Sequence, residues 1–95
     1  MGTFSNKVVI VTGGALGIGR ATSLEFAREG AHVVVADLNA QAGRAILAQI
    51  DDLGTRGRFV EADVSKALNC ERVVAEAVTA FGGVDVLFNN VGIQP

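Results

Sequence analysis

The chain has 95 residues, 49% of them hydrophobic, with 8 basic and 10 acidic side chains for a net charge of −2; that length holds at most one small domain, burying roughly 60–70% of the surface an unfolded chain exposes. Its positive mean hydropathy excludes a disordered chain, and the lack of a basic cluster or aromatic stacking run argues against nucleic acid as a partner. No apolar run is long enough to span a bilayer and no signal peptide is visible, which argues against a membrane, while the single cysteine, Cys70, excludes an internal disulfide and suits a reducing compartment.

Val8, Val9, Ile10 and Val11, an apolar run rich in β-branched side chains, read as a strand over residues 7–12 buried on both faces. It stops at Gly13, and glycines return at 17 and 19 as a helical pattern begins. Strand, Gly-rich turn and helix form the layout that holds a phosphate: backbone N–H groups approach the anion and the helix N-terminus adds partial positive charge. Gly13 permits a tight exit from the strand, Gly17 leaves room for backbone against a pyrophosphate, and Gly19 lets the helix pack close. This is the division of labour of a dinucleotide fingerprint, although the spacing is Thr12-Gly13-x-x-x-Gly17-x-Gly19. A P-loop is excluded, because Arg20 and Ala21 stand where Lys and Ser or Thr are needed.

In the first helix Ile18, Ala21, Leu24 and Ala27 recur at helical spacing, with Arg20, Ser23, Glu25, Arg28 and Glu29 opposite. Gly30 ends it. A second strand over 32–36 closes at Asp37. Asn39 caps a second helix that runs to about Leu53 with Ala42, Ala45, Ile46, Ile50 and Leu53 inward. A third strand over 58–62 ends at Asp63, and Ser65 is placed to cap the third helix. There Cys70, Val73, Val74, Ala77, Val78 and Phe81 form the clearest apolar stripe in the chain. Gly82 and Gly83 stop it, and a fourth strand over 84–88 leads into Asn89-Asn90-Val91-Gly92. Phe26, Phe59, Phe81 and Phe88 are core candidates, and Cys70 reads as a small core residue.

Strands alternating with helices across short connections predict an α/β fold with a doubly wound parallel sheet. Right-handed crossovers then set the strand order 3-2-1-4, with the first two helices on one face and the third on the other. Winding reverses between strands 1 and 4. Ligands bind at such a switch point, and the segments there are 13–19 and 89–92. His32 opens the second strand, away from that point. The arginines read as scattered solvated charges; Arg20, near a helix start, is the one placed to help with a phosphate. No Cys/His cluster has metal-ligand spacing.

Four segments in order resemble the short-chain dehydrogenase/reductase family: 12–19, the acid Asp37, Asp63-Val64, and Asn89-Asn90-Val91-Gly92. The resemblance covers nearly the whole chain, and only the N-terminal, cofactor-binding part of that family's Rossmann-like domain. It implies a nicotinamide dinucleotide held by Gly13, Ala15, Leu16, Gly17, Ile18 and Gly19 at the pyrophosphate. Asp37 and Leu38 would meet the adenosine ribose, Asp63 and Val64 the adenine, and Asn90, Val91 and Gly92 would pass beside the cofactor ribose. Val91 departs from the family's usual Ala. The family's carboxylate–ribose contact, which repels a 2′-phosphate, and the absence of a basic residue at Leu16 point to NAD over NADP. Each acid also has a plain local reading: Asp37 as a cap, Asp63 as the lead-in to Ser65, the asparagines as a strand exit.

The family's Tyr, the Lys four positions after it, and its Ser lie beyond its fourth strand, and this chain contains no tyrosine. No catalytic residue is therefore assigned here. The expectation is a single domain over 1–95, truncated at its C-terminal side: the NAD-binding half of a cytoplasmic oxidoreductase acting on a small alcohol or ketone, inactive by itself. A homo-oligomer is open for the complete protein. The alternatives are a non-catalytic nucleotide-binding module or a non-functional truncated product.

Overall fold

The computed structural model describes residues 4–13, 15–63 and 65–90. Its elements are β1 (Val8–Thr12), α1 (Gly17–Arg28), β2 (His32–Asp37), α2 (Ala40–Asp52), β3 (Gly57–Glu61), α3 (Ala67–Phe81) and β4 (Val86–Asn89). The four strands form one parallel sheet in the order β3-β2-β1-β4, as the crossover rule predicts. Register places Thr12 opposite Ala36 on one side and opposite Asn89 on the other. The C-terminal ends of β1, β2 and β4 therefore open on one edge.

Alternation along the central strands builds two apolar layers. Val9, Val11, Val33 and Val35 meet Leu24, Ala27, Ile46 and Ile50 of α1 and α2. Val8, Ile10, Val34, Ala36 and Val60 meet Val73 and Ala77 of α3. Successive strand residues point to opposite faces, so a run of consecutive valines serves both layers. Every residue of β1 is buried. Helix α2 lies so close to β3 that a Cβ on Gly43 would collide with the Phe59 ring.

Four helix assignments shift against the sequence reading. In α2 the buried residues are Gly43, Ile46 and Ile50, while Ala45 and Leu53 are exposed. In α1 the buried residues are Gly19, Ser23, Leu24 and Ala27, while Ile18 is exposed. Ser23 sits in the core because its hydroxyl donates to the Gly19 carbonyl at 2.8 Å, a bond that satisfies the polar group within the helix. In α3 only Val73 and Ala77 of the stripe are buried; Val74, Val78 and Cys70 are exposed. Ser65 does not cap α3, whose N-cap is Lys66. Of the aromatic candidates, Phe26, Phe59 and Phe81 pack against the core, whereas Phe88 is exposed and meets Phe26 edge-on at 6.5 Å.

β4 starts later than expected, at Val86, and Asp85, just before it, is bonded to β1 through its carboxylate and its N–H. Its carboxylate accepts from Val8 N–H at 2.8 Å, and its own N–H donates to Val8 C=O at 2.8 Å. Among the described residues no helix is long and apolar enough to cross a membrane, and no group of His, Cys, Asp and Glu is arranged to hold a metal.

Candidate cofactor site

The site lies where β1 ends and α1 begins. Gly13 turns with φ +62°, and its N–H extends the ladder to Ala36 C=O at 2.7 Å. Gly17 follows at φ +57°, and a Cβ built on it would meet nothing within 4 Å among the described residues. That backbone favours glycine, and no described side chain fills the space in front of it. At Gly19 the reverse holds: a Cβ would strike the Gly13 carbonyl and come within 2.8 Å of the Asn90 amide. The small residue is needed for the contact of the helix start with the ends of β1 and β4.

The N-terminus of α1 is left open. Its N-cap, Leu16, makes no side-chain capping bond, and no acid lies in the first turn. In α2, by contrast, the Asn39 side chain accepts from Ala42 N–H at 2.9 Å. Uncapped N–H groups and the helix dipole together favour an anion at the start of α1. Leu16 and Ile18 point outward beside this opening, whereas Ala15 is buried.

Asp37 ends β2 half-buried. One carboxylate oxygen accepts from Ala15 N–H in the glycine loop at 3.1 Å, and the other from Asn39 N–H at 3.1 Å. Each oxygen has two lone-pair directions, so each retains one for a ligand hydroxyl. Leu38 is exposed next to it. The Asp37 carbonyl accepts from Ala62 N–H at 3.0 Å, which brings Asp63 to the same edge. Asp63 Oδ1 accepts from the Ser65 hydroxyl at 2.6 Å and the Ser65 N–H at 3.0 Å. These bonds, the hydroxyl first, hold its carboxyl below the usual carboxylate range, aided by the Lys66 charge.

The exit of β4 is bonded to the exit of β1. Asn90 N–H donates to Thr12 Oγ1 at 2.9 Å, Thr12 Oγ1 donates to Asn89 Oδ1 at 3.0 Å, and Asn90 Nδ2 donates to Gly13 C=O at 3.3 Å. Loop, Asp37 and Asn90 are thus brought into direct contact. Asp63 follows Ala62 at the Asp37 edge, and among the described residues it makes no bond to the loop. Val64, Val91 and Gly92 lie outside the described residues. Arg20 is directed elsewhere: its guanidinium donates to Gln49 Oε1 of α2 at 2.9 Å, so it is not aimed at the loop.

Two groups escaped the sequence reading. The Thr12 hydroxyl carries the junction of β1 and β4, and a buried Thr directly before a glycine turn was the available signal. Ser23 supports Gly19 from below, and its signal was the four-residue spacing to the loop's last glycine. A cavity of about 80 Å³ between α3 and the sheet, lined by Thr12, Cys70, Val73 and Leu87 among others, is too small for a dinucleotide.

The short chain dehydrogenase family model matches residues 7–95. The uncharacterized oxidoreductase YuxG of Bacillus subtilis is 44% identical over 92 residues, which are 95% of this chain and 13% of that protein. The 2,5-dichloro-2,5-cyclohexadiene-1,4-diol dehydrogenase LinX of Sphingobium indicum is 42% identical over 89 residues, 94% of this chain and 36% of that one. Among solved structures, NAD⁺-bound xylitol dehydrogenase superposes with a TM-score of 0.90 at 36% identity, covering 97% of this chain and 35% of that chain. The chain therefore spans little more than a third, or less, of the length of these relatives.

Proposed function

The chain belongs to the short-chain dehydrogenase family, and from that premise we propose that it forms the NAD-binding part of an oxidoreductase that interconverts an alcohol and a ketone. The observation that carries the reading is the space at Gly17, which no described residue fills within 4 Å of an added Cβ, in front of a helix start without a side-chain cap. The residues present fit a dinucleotide: the opening takes a pyrophosphate, and the loop is braced from behind by Gly19 against Gly13.

In this reading Gly13, Ala15, Leu16, Gly17, Ile18 and Gly19 hold the pyrophosphate. Asp37 and Leu38 meet the adenosine ribose, Asp63 and Val64 the adenine, and Asn90, Val91 and Gly92 pass beside the cofactor ribose. The bound nicotinamide supplies a hydride acceptor or donor. The chain's own residues bind and orient it, and none is proposed to move the substrate proton, since no tyrosine is present. The names of LinX and of the xylitol enzyme support a hydroxylated small molecule as the complete protein's substrate. A cytoplasmic location and a homo-oligomeric assembly belong to the same proposal.

NAD rather than NADP is the proposed cofactor, because a second anion beside the Asp37 carboxylate meets charge repulsion. Titration of NAD into ¹⁵N-labelled chain tests the reading. The expected result is saturable shifts of the Gly17, Ile18 and Gly19 amides. A folded chain whose loop amides do not respond to millimolar NAD would overturn it.

A further inference from the structure

We propose that Asp37 positions the glycine loop, in addition to reading the ribose, by holding the Ala15 N–H across from β2. The proposal rests on the dinucleotide reading of this site.

The loop leaves β1 still bonded to β2, through Gly13 N–H and Ala36 C=O at 2.7 Å. Among the described residues, the next tie from the loop to β2 after Gly13 is Ala15 N–H on Asp37 Oδ2 at 3.1 Å. Ala15 is only 1% exposed, so its N–H has little access to water and depends on that carboxylate. The other oxygen is occupied by Asn39 N–H at 3.1 Å. The carboxylate is therefore clamped between the loop on one side and the start of α2 on the other. A charged acceptor makes the stronger kind of hydrogen bond. The same clamp keeps the carboxylate from swinging away from a ligand that approaches it.

The two roles predict opposite signs for a ligand that has phosphates and no ribose. If Asp37 only reads the ribose, removing its negative charge strengthens the binding of any nearby polyanion. If it also positions the loop, removing it weakens that binding, because the pyrophosphate cradle loses its tie. Inorganic pyrophosphate is the probe, titrated into the chain, into Asp37→Ala and into Asp37→Asn. Hydrogen exchange of the Ala15 amide is read in the same samples, with the Val34 amide as the control for the fold.

The expected result is at least about a threefold loss of pyrophosphate affinity in Asp37→Ala, with Ala15 exchange faster by about tenfold and Val34 unchanged. Asp37→Asn keeps one acceptor oxygen and falls between. Equal or tighter pyrophosphate binding in Asp37→Ala, or an Ala15 amide as protected as before, would overturn the proposal. A wild-type chain that binds neither pyrophosphate nor NAD would sink the cofactor reading instead, and Ala15 exchange would still decide the tether.

Discussion

Thr12 and Asn90 are joined by an N–H···Oγ1 bond of 2.9 Å that fastens the exit of β4 to the exit of β1. Thr12 is buried, and its hydroxyl proton goes on to Asn89 Oδ1 at 3.0 Å. Thr12→Val keeps the shape and removes both bonds, leaving the Asn90 N–H without its acceptor. Such a loss costs about 1–3 kcal/mol. Urea unfolding should show that loss for Thr12→Val and recover most of it in Thr12→Ser. A Val variant as stable as the parent would mean that water or a rearranged Asn90 replaces the hydroxyl.

Gly19 and Gly83 make a matched pair of tests. An added methyl at Gly19 meets the Gly13 carbonyl, whereas one at Gly83 meets nothing within 4 Å among the described residues. Gly19→Ala should destabilise by about 1–3 kcal/mol, the usual cost of overpacking, and weaken NAD binding about tenfold or more. Gly83→Ala should be neutral in both. Similar behaviour of the two variants in calorimetry would show that the loop yields easily at Gly19.

Strand order and the two helix faces were legible because period-2 alternation and short connections leave few topologies. The loop was legible because φ +57° at Gly17 favours glycine and the close contact at Gly19 leaves no room for a Cβ. The rotation of α1 was not. Hydropathy spacing favours Ile18 and Ala21 inward, but the close approach at Gly19 turns the helix so that small residues, Gly19, Ser23 and Ala27, face the sheet. Small size rather than apolarity decided that face. Ser65 was misread for a related reason: its hydroxyl turns back to Asp63 at 2.6 Å rather than forward to α3, and a Ser two residues after an Asp suits either bond. The apolar stripe of α3 is wider than the sheet surface beneath it, which leaves Val74 and Val78 outside.

The Ser65 bond makes Asp63 a pH-sensitive contributor to stability. Its carboxyl is held below the ordinary value of 3.8 by the Ser65 hydroxyl and N–H. A depressed folded-state value means stability that is present above the unfolded value and lost as pH falls through the folded one. Ser65→Ala removes the larger of the two bonds. It should raise the Asp63 titration midpoint toward 3.8, lower stability at neutral pH, and leave the two proteins alike in strong acid, where Asp63 is protonated in both. Carboxyl NMR titration with unfolding measured across pH checks this; a stability gap that persists in acid would assign the effect to Ser65 alone.

Among the described residues β4 pairs only with β1, and Leu87 on that strand is 57% exposed and lines one cavity with the exposed Val74 of α3. An open strand edge with apolar side chains invites pairing between molecules. The 95-residue chain should self-associate at micromolar concentration, and Leu87→Lys should shift it toward monomer with little change in the two apolar layers. Light scattering after size exclusion measures both. A monomeric parent chain would show that the edge is harmless.

Asp37 and Leu38 should govern the choice between the two dinucleotides. NADP carries an additional phosphate that would lie beside the Asp37 carboxylate. Two unit charges about 4 Å apart repel by about 1 kcal/mol in water and about 4 kcal/mol at an effective dielectric of 20. The carboxylate cannot turn aside to relieve this without giving up Ala15 N–H and Asn39 N–H, each at 3.1 Å. Leu38, Asn39 and Ala40 offer no cation in compensation. A preference for NAD of at least about 10-fold follows, which takes 1.4 kcal/mol. Asp37→Ala with Leu38→Arg removes the repulsion and places a guanidinium, a good phosphate partner, at an exposed position. The NAD:NADP ratio should narrow or reverse. Because the Ala15 tether is lost in the same step, NAD affinity should fall by more than the missing ribose bonds explain, and Asp37→Asn with Leu38→Arg should retain more of it. Calorimetric titration of both dinucleotides into the parent and the two double variants supplies the six constants. Equal affinities in the parent, or a ratio that ignores the double change, would confine Asp37 to its bonds with Ala15 and Asn39.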